Sequence, residues 1–208
     1  GMRLYGEDPR LYRHRGHRYI TLRCFDKAIA DLETAALLIR DKKDETEPDG
    51  LPNAKNIPTS TLQFNIWYHL GLAYFVMGNY ENALKAYRNC MKVSTNNDMY
   101  VAVFSWAYLT LLRLDRDTEA KALYYSADGK AEVIENAEYR NLYIAIYTDQ
   151  PVHPDIDEVA AVILKGASPV GISTISFAVG FYCLVKGEGD KERAIKYFTK
   201  ATGTGMWS

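Results

Sequence analysis

One spacing recurs in this chain and limits what it can fold into. From Gly71, Tyr74 follows three residues on, Ala83 nine further, Tyr87 after four and Cys90 after three, while Trp67 stands four residues before the glycine. The beginning of the chain repeats the series: Tyr12, Gly16, Tyr19, Ala28, Leu32 and Ala35 stand at the same intervals and agree in chemical type. A pattern held in register over so many positions is the signature of stacked two-helix units.

The spacing has a physical cause. Antiparallel helices cross closely only where small residues meet, which Gly16 with Ala28 and Gly71 with Ala83 supply, and the aromatics then fill the gap to the next pair. "MGNY" places Gly78 and Asn79 where a helix ends in left-handed conformation. The first copy has Arg23-Cys24 there; lacking glycine, its turn is expected to be built differently. Weaker copies run through Phe104, Ala107, Tyr108, Leu111, Ala120, Tyr124 and Ala127, and through Ala178, Phe181, Tyr182, Val185, Ala194, Phe198 and Ala201 with Gly189-Asp190 in the turn. Between them an irregular pair, about 137–147 and 154–165, is joined by "TDQPVHP", whose prolines end helices. No strand alternation appears. The expected fold is all-α, a right-handed superhelix of stacked helical hairpins with about ten helices. It forms one domain over 1–208, with repeats at about 9–42, 64–97, 101–134, 137–166 and 175–208.

Trp67, Leu70, Gly71, Tyr74, Ala83 and Tyr87 together resemble the tetratricopeptide repeat (TPR), with the family's late proline replaced near Thr95. The segments "DPRLYRHRGHRY", "PDGLPNAKNIPTST" and "NIWYHLGLAYF" are also similar to a group of bacterial TPR proteins to which no reaction is assigned. The resemblance implies a scaffold whose concave face, lined by the first helix of each pair, binds a protein or peptide segment. It does not imply the carboxylate clamp of chaperone-binding TPR domains. Arg13, His17 and Asn65 stand in partly suitable places, but Ala102 and Trp106 occupy those of the distal basic groups.

With 208 residues and 48% hydrophobic composition the chain has enough apolar material for a full core. A net charge of -1 provides no global basic field, and tyrosines at helical spacing beside alanines read as packing groups, so no nucleic-acid partner is expected. Cys24, Cys90 and Cys183 show no paired spacing. No apolar run approaches the ~20 residues of a membrane span, and the arginine-rich start is unlike a secretory signal. The chain therefore reads as soluble and without membrane insertion, with Gly1 ahead of Met2 leaving a longer or exported parent open. Nucleophile elbows, phosphate-cradling loops and paired metal motifs are absent. "GTGMWS" and "VKGEGDK" read as helix ends, and the expectation is no enzyme and no cofactor. His14 and His17 lie three apart with His69 approaching from the next hairpin, but no carboxylate or cysteine completes a ligand set at recognisable spacing. His153 has no evident partner.

Between the first two copies the period is interrupted. Gly16 to Gly71 is 55 residues (71 − 16) against the family's ~34, a surplus of about 21 around Asp41 to Thr61. "DKKDETEPDG" reads as charged and solvated, whereas "LPNAKNIPTST" carries Leu51, Pro52, Ile57 and Pro58 in extended conformation. Two readings stand: a structural loop ending in the helix cap Thr59-Ser60-Thr61, or a segment lying on the groove that contributes to binding.

Helical spacing places Arg10, Arg13 and His17 on the concave side of the first copy and Asn65, Tyr68, Leu72 and Phe75, with His69 at the edge, on that of the second. Ala102, Ser105 and Leu109 continue it in the third. The arginines read either as a row of forks for an acidic peptide or as a solvated face paired with Asp8, Asp26 or Asp31. The alternative function is self-association, as a homodimer through the end hairpins or as part of a longer array.

Overall fold

The computed structural model describes residues 6–48, 53, 55–127, 132–147, 156–186 and 190–206. Among these residues there are ten α-helices and no strand, an isolated antiparallel bridge between Thr46 and Thr61 aside. The helices are α1 (Pro9–Thr21), α2 (Phe25–Leu38), α3 (Leu62–Val76), α4 (Tyr80–Val93), α5 (Asn97–Arg113), α6 (Asp117–Ser126), α7 (Ala137–Ala145), α8 (Ile156–Leu164), α9 (Pro169–Lys186) and α10 (Lys191–Thr202). They fall into two compact units, Gly1–Thr110 and Leu111–Ser208.

In the first unit α1 pairs with α2, α3 with α4, and α2 packs on α3, so the second hairpin stacks on the first. The two glycines sit at equivalent crossings. A Cβ on Gly16 would stand 2.7 Å from Leu32 Cγ, and one on Gly71 would stand 2.3 Å from the Tyr87 ring. Leu32 and Tyr87 each lie sixteen residues after their glycine and are fully buried. Trp67 joins the hairpins, packing against both the Ala28–Leu32–Leu70 cluster and the Ala35–Ile66 cluster.

The turns correct one expectation. Arg23 (φ 58°), Gly78 (φ 75°) and Asp115 (φ 56°) are all left-handed, and each stands seven residues after Gly16, Gly71 and Tyr108. The amides that follow bond to matching carbonyls: Cys24 to Tyr19 at 2.8 Å, Asn79 to Tyr74 at 2.9 Å, and Arg116 to Leu111 at 3.0 Å. The first turn is thus built like the second without glycine, because this bond closes on the backbone whichever side chain is present. Helix starts are capped by Asp8, Thr61 and Asn79, whose side chains accept from Arg10, Phe64 and Asn82 amides.

In the second unit α9 pairs with α10, and α7 and α8 pack on α9. Gly180 makes the close approach here: a Cβ would lie 3.0 Å from the Phe198 ring and 3.2 Å from the Ala194 carbonyl. By length and composition α9 is apolar enough to cross a membrane, with mean hydropathy 1.4 over 18 residues. At 18 residues it comes close to the ~20 of a membrane span, contrary to the expectation that no apolar run approaches that length. Half of it is buried, and Ile175, Val179, Tyr182 and Cys183 belong to the core of this unit. Asp157 accepts from Lys196 Nζ at 2.8 Å and the Tyr197 hydroxyl at 2.7 Å, tying α8 to α10. Leu51, Pro52, His153, Gly189 and the "TDQPVHP" link lie outside the described residues.

Candidate partner-binding site

The first unit gathers most of the polar groups singled out by spacing on adjoining faces of α1 and α3. Arg13 and His17 stand one turn apart on α1, and Asn65 and His69 one turn apart on α3, so the two pairs meet where the helices pack. The His17 and His69 rings have centroids 4.3 Å apart. His69 Nδ1–H donates to the Asn65 carbonyl at 2.6 Å, which leaves Nε2 as the acceptor. Among the described residues no group of three His, Cys, Asp or Glu side chains is arranged to hold a metal ion.

Burial disfavours a positive charge on either ring. It holds His17 down to about 4, with Arg13 and then Arg18 adding repulsion, and His69 to about 3, with His17 and Arg13 adding to it. In the unfolded chain both titrate near 6.5. Below that pH the unfolded chain binds more protons than the folded one. The stabilisation is complete above pH ~6.5 and is lost as pH falls through about 4 and then about 3. Urea unfolding midpoints measured from pH 7.5 to 4.5 are expected to decline, and His69→Gln is expected to flatten the decline. A midpoint independent of pH would contradict this.

The residue that organises this face is Glu47, in the inserted segment. Its Oε2 lies 3.1 Å from Arg13 Nε and accepts from Asn65 Nδ2 at 2.7 Å, while Oε1 is 3.3 Å from His14 Nε2. Arg13 Nη1 donates to His14 Nδ1 at 3.2 Å, so a neutral His14 carries its proton on Nε2, the nitrogen nearest Glu47. Only 11% of the Glu47 side chain is exposed. "DKKDETEPDG" had read as solvated, so this carboxylate was missed; the available signal was the acid run "DETEPD" beside an arginine-rich helix, with 21 surplus residues to bring them together.

The remaining candidates are dispersed. Arg10 is exposed and doubly bonded to Asp8, with Nη2–Oδ2 2.8 Å, and Arg15 grips buried Asp31 through two 2.6 Å bonds. These two arginines are paired surface groups. Tyr68 stacks on Phe64, and its hydroxyl accepts from Trp106 Nε1 at 2.9 Å. Leu72 is half-buried, and Phe75 is buried edge-on to Trp106. Ala102, Ser105 and Leu109 are buried, so they do not extend an open surface. Arg13, His17, Asn65 and His69 therefore form one cluster, and Tyr68, Phe75 and Trp106 an aromatic row beside it.

Between α2 and α4 a cleft of about 600 Å³ opens over α3, floored by Trp67, Leu70 and Tyr74 and flanked by Glu33, Arg40 and Lys85. The Tyr74 hydroxyl donates to Glu33. Reading Trp67 and Tyr74 as packing groups described their contacts but not the space left beside them.

Residues 64–97 match the family model for the tetratricopeptide repeat. No curated protein matches the chain. Among solved structures, MamA AMB-1 is similar at 17% identity, with 94% of this chain and 90% of that one covered and a TM-score of 0.41.

Proposed function

We propose, on the premise that this chain is a tetratricopeptide repeat protein, that it is a non-catalytic scaffold whose first unit binds a protein or peptide segment. The surface is the shared face of α1 and α3, with Arg13, His17, Asn65 and His69 as the polar part and Tyr68 and Leu72, backed by the buried Phe75, as the apolar part. One observation supports this above the others: an extended, non-helical stretch carrying Glu47 lies against that face and is held there by side chains of both helices. The face accepts extended chain, and extended chain is what peptide recognition requires. Aromatic groups beside a charged centre suit binding more than catalysis, since no nucleophile with an adjacent base stands among them.

Site-directed photo-crosslinking in the native host tests the assignment. A photoreactive amino acid at Leu72 is expected to capture a discrete protein, while the same group at Ile195, 64% exposed on α10, is not. Equal capture at both positions, or none at Leu72, would remove the assignment.

A further inference from the structure

The stretch that carries Glu47 is built into the fold by its backbone. Glu47 N–H donates to the Ser60 carbonyl at 3.1 Å and Leu62 N–H to the Glu45 carbonyl at 2.9 Å, flanking the Thr46–Thr61 bridge. Gln63 N–H adds a bond to Asp44 Oδ1 at 3.0 Å. The two ends of the insertion thus pair as a short antiparallel ladder, and Asn96 Nδ2 fixes the Thr59 carbonyl from the far side at 2.8 Å. From this ladder a single side chain enters the α1–α3 face. Three groups of different kinds come close to its carboxylate from two helices: the Asn65 amide donates to it at 2.7 Å, and the Arg13 guanidinium and the His14 imidazole stand 3.1 and 3.3 Å away.

The fit is close in distance but imperfect in direction. Arg13 is 9% exposed, and its Nε, 3.1 Å from Glu47 Oε2, has no partner at hydrogen-bonding angle. Guanidinium forks hold carboxylates best through two parallel bonds. Glu47, tethered to its ladder, meets Arg13 off that axis. A carboxylate on a chain free to shift would align better. Among the described residues the charges that act on Arg13 are Glu47, which favours its positive charge, and Arg18, which opposes it; Asp8 acts on the neighbouring His14.

We propose that Glu47 is an intramolecular ligand, standing where a glutamate or aspartate side chain of an extended partner peptide is held by Arg13, His14 and Asn65. The occupant is a peptide and not a free carboxylate because the backbone groups that pair with Glu45 and Glu47, the Leu62 amide and the Ser60 carbonyl, would be freed with them. An incoming strand can take up both. The ladder is short, and segments held by few exposed backbone bonds open at low local free energy. The insertion then acts as a competitive cover. A partner must displace it, which reduces apparent affinity by the fraction of time the face is uncovered. This inference rests on the α1–α3 face being the recognition surface.

The test uses the full chain and a labelled, end-blocked peptide DETEPD, copied from the insertion, with DETQPD as control. With an uncovered fraction of about 1–10%, Glu47→Ala is expected to bind DETEPD roughly 10- to 100-fold more tightly than the unsubstituted protein, and DETQPD with no such gain. Equal affinity of the two proteins for DETEPD, or an equal gain with DETQPD, would overturn the inference. Displacement of the probe by sodium glutamate as readily as by unlabelled peptide would overturn the peptide as ligand. Should circular dichroism show Glu47→Ala unfolded, Glu47→Gln, which keeps the shape and removes the charge, is titrated with the same expectation and the same criterion. A null result with the Leu72 crosslink intact sinks the role of Glu47 alone; loss of that crosslink sinks the recognition surface itself.

Discussion

Gly71→Ala is expected to destabilise the first unit by about 3 kcal/mol, the upper part of the range for overpacked cores. The added Cβ would stand 2.3 Å from Tyr87 Cε1 and 2.6 Å from Cδ1, closer than carbon atoms approach in folded proteins. Tyr87 has no exposed surface into which to retreat, so either α3 moves off α4 or the ring leaves its site. Moving α3 would disturb α2 as well, because Trp67 packs on both clusters between them. Gly16→Ala meets a smaller obstacle, Leu32 Cγ at 2.7 Å, and should cost less. Denaturant midpoints on the two variants give the comparison, and a Gly71→Ala protein as stable as the parent would show that the crossing is not close packed.

Arg13 and Glu47 provide the second large effect. Each side chain is 11% exposed, so removing one leaves the other with little water to replace its partner. Glu47→Gln is expected to cost about 2–3 kcal/mol, below the ~3–5 found when fully buried pairs are broken. Burial already disfavours the charge on Arg13, with the Glu47 carboxylate as the main opposing influence. Arg13→Met is expected to cost somewhat less, because Asn65 continues to donate to the carboxylate that remains and His14 stands 3.3 Å from it. In a double-mutant cycle the loss for both changes together should fall short of the sum by at least about 1 kcal/mol. Strict additivity would mean that the two groups do not interact, and the groove would then be held shut by the backbone ladder alone.

The helical hairpins were legible in the sequence because their cause is local and periodic: a small residue must recur where two backbones touch. Legibility failed where spacing changed. Counting twelve residues back from Ala194 leads to Tyr182, whereas the residue at the crossing is Gly180, fourteen back. The interval from glycine to alanine is two residues longer there than the twelve from Gly16 to Ala28, and a pattern of fixed interval loses a glycine that the packing retained. The first turn failed in the opposite way. Arg23 hid a standard reversal, since the bonds that close it come from main-chain groups.

The candidate site was half legible for a different reason. Arg13, His17, Asn65 and His69 share a face by helical geometry, and periodicity assigns them to it. Glu47 reaches them from a segment with no periodicity, and its position depends on pairing with Ser60 and Leu62. Nothing in the spacing of "DETEPD" distinguishes Glu47 from Glu45, which is exposed. Arg10 looked equivalent to Arg13 along the helix, yet its place in the first turn commits it to the capping residue Asp8.

The three left-handed turn residues differ in what that conformation costs. A side chain there opposes it by roughly 1–2 kcal/mol, a penalty that Gly78 escapes and that Arg23 and Asp115 bear. The reversal at Gly78 is accordingly the one an unfolded chain visits most readily, and it joins the two helices with the most complete repeat signature. Collapse around α3 and α4 would give the flanking helices a ready-made template, so that the costlier bends on either side form against an existing surface.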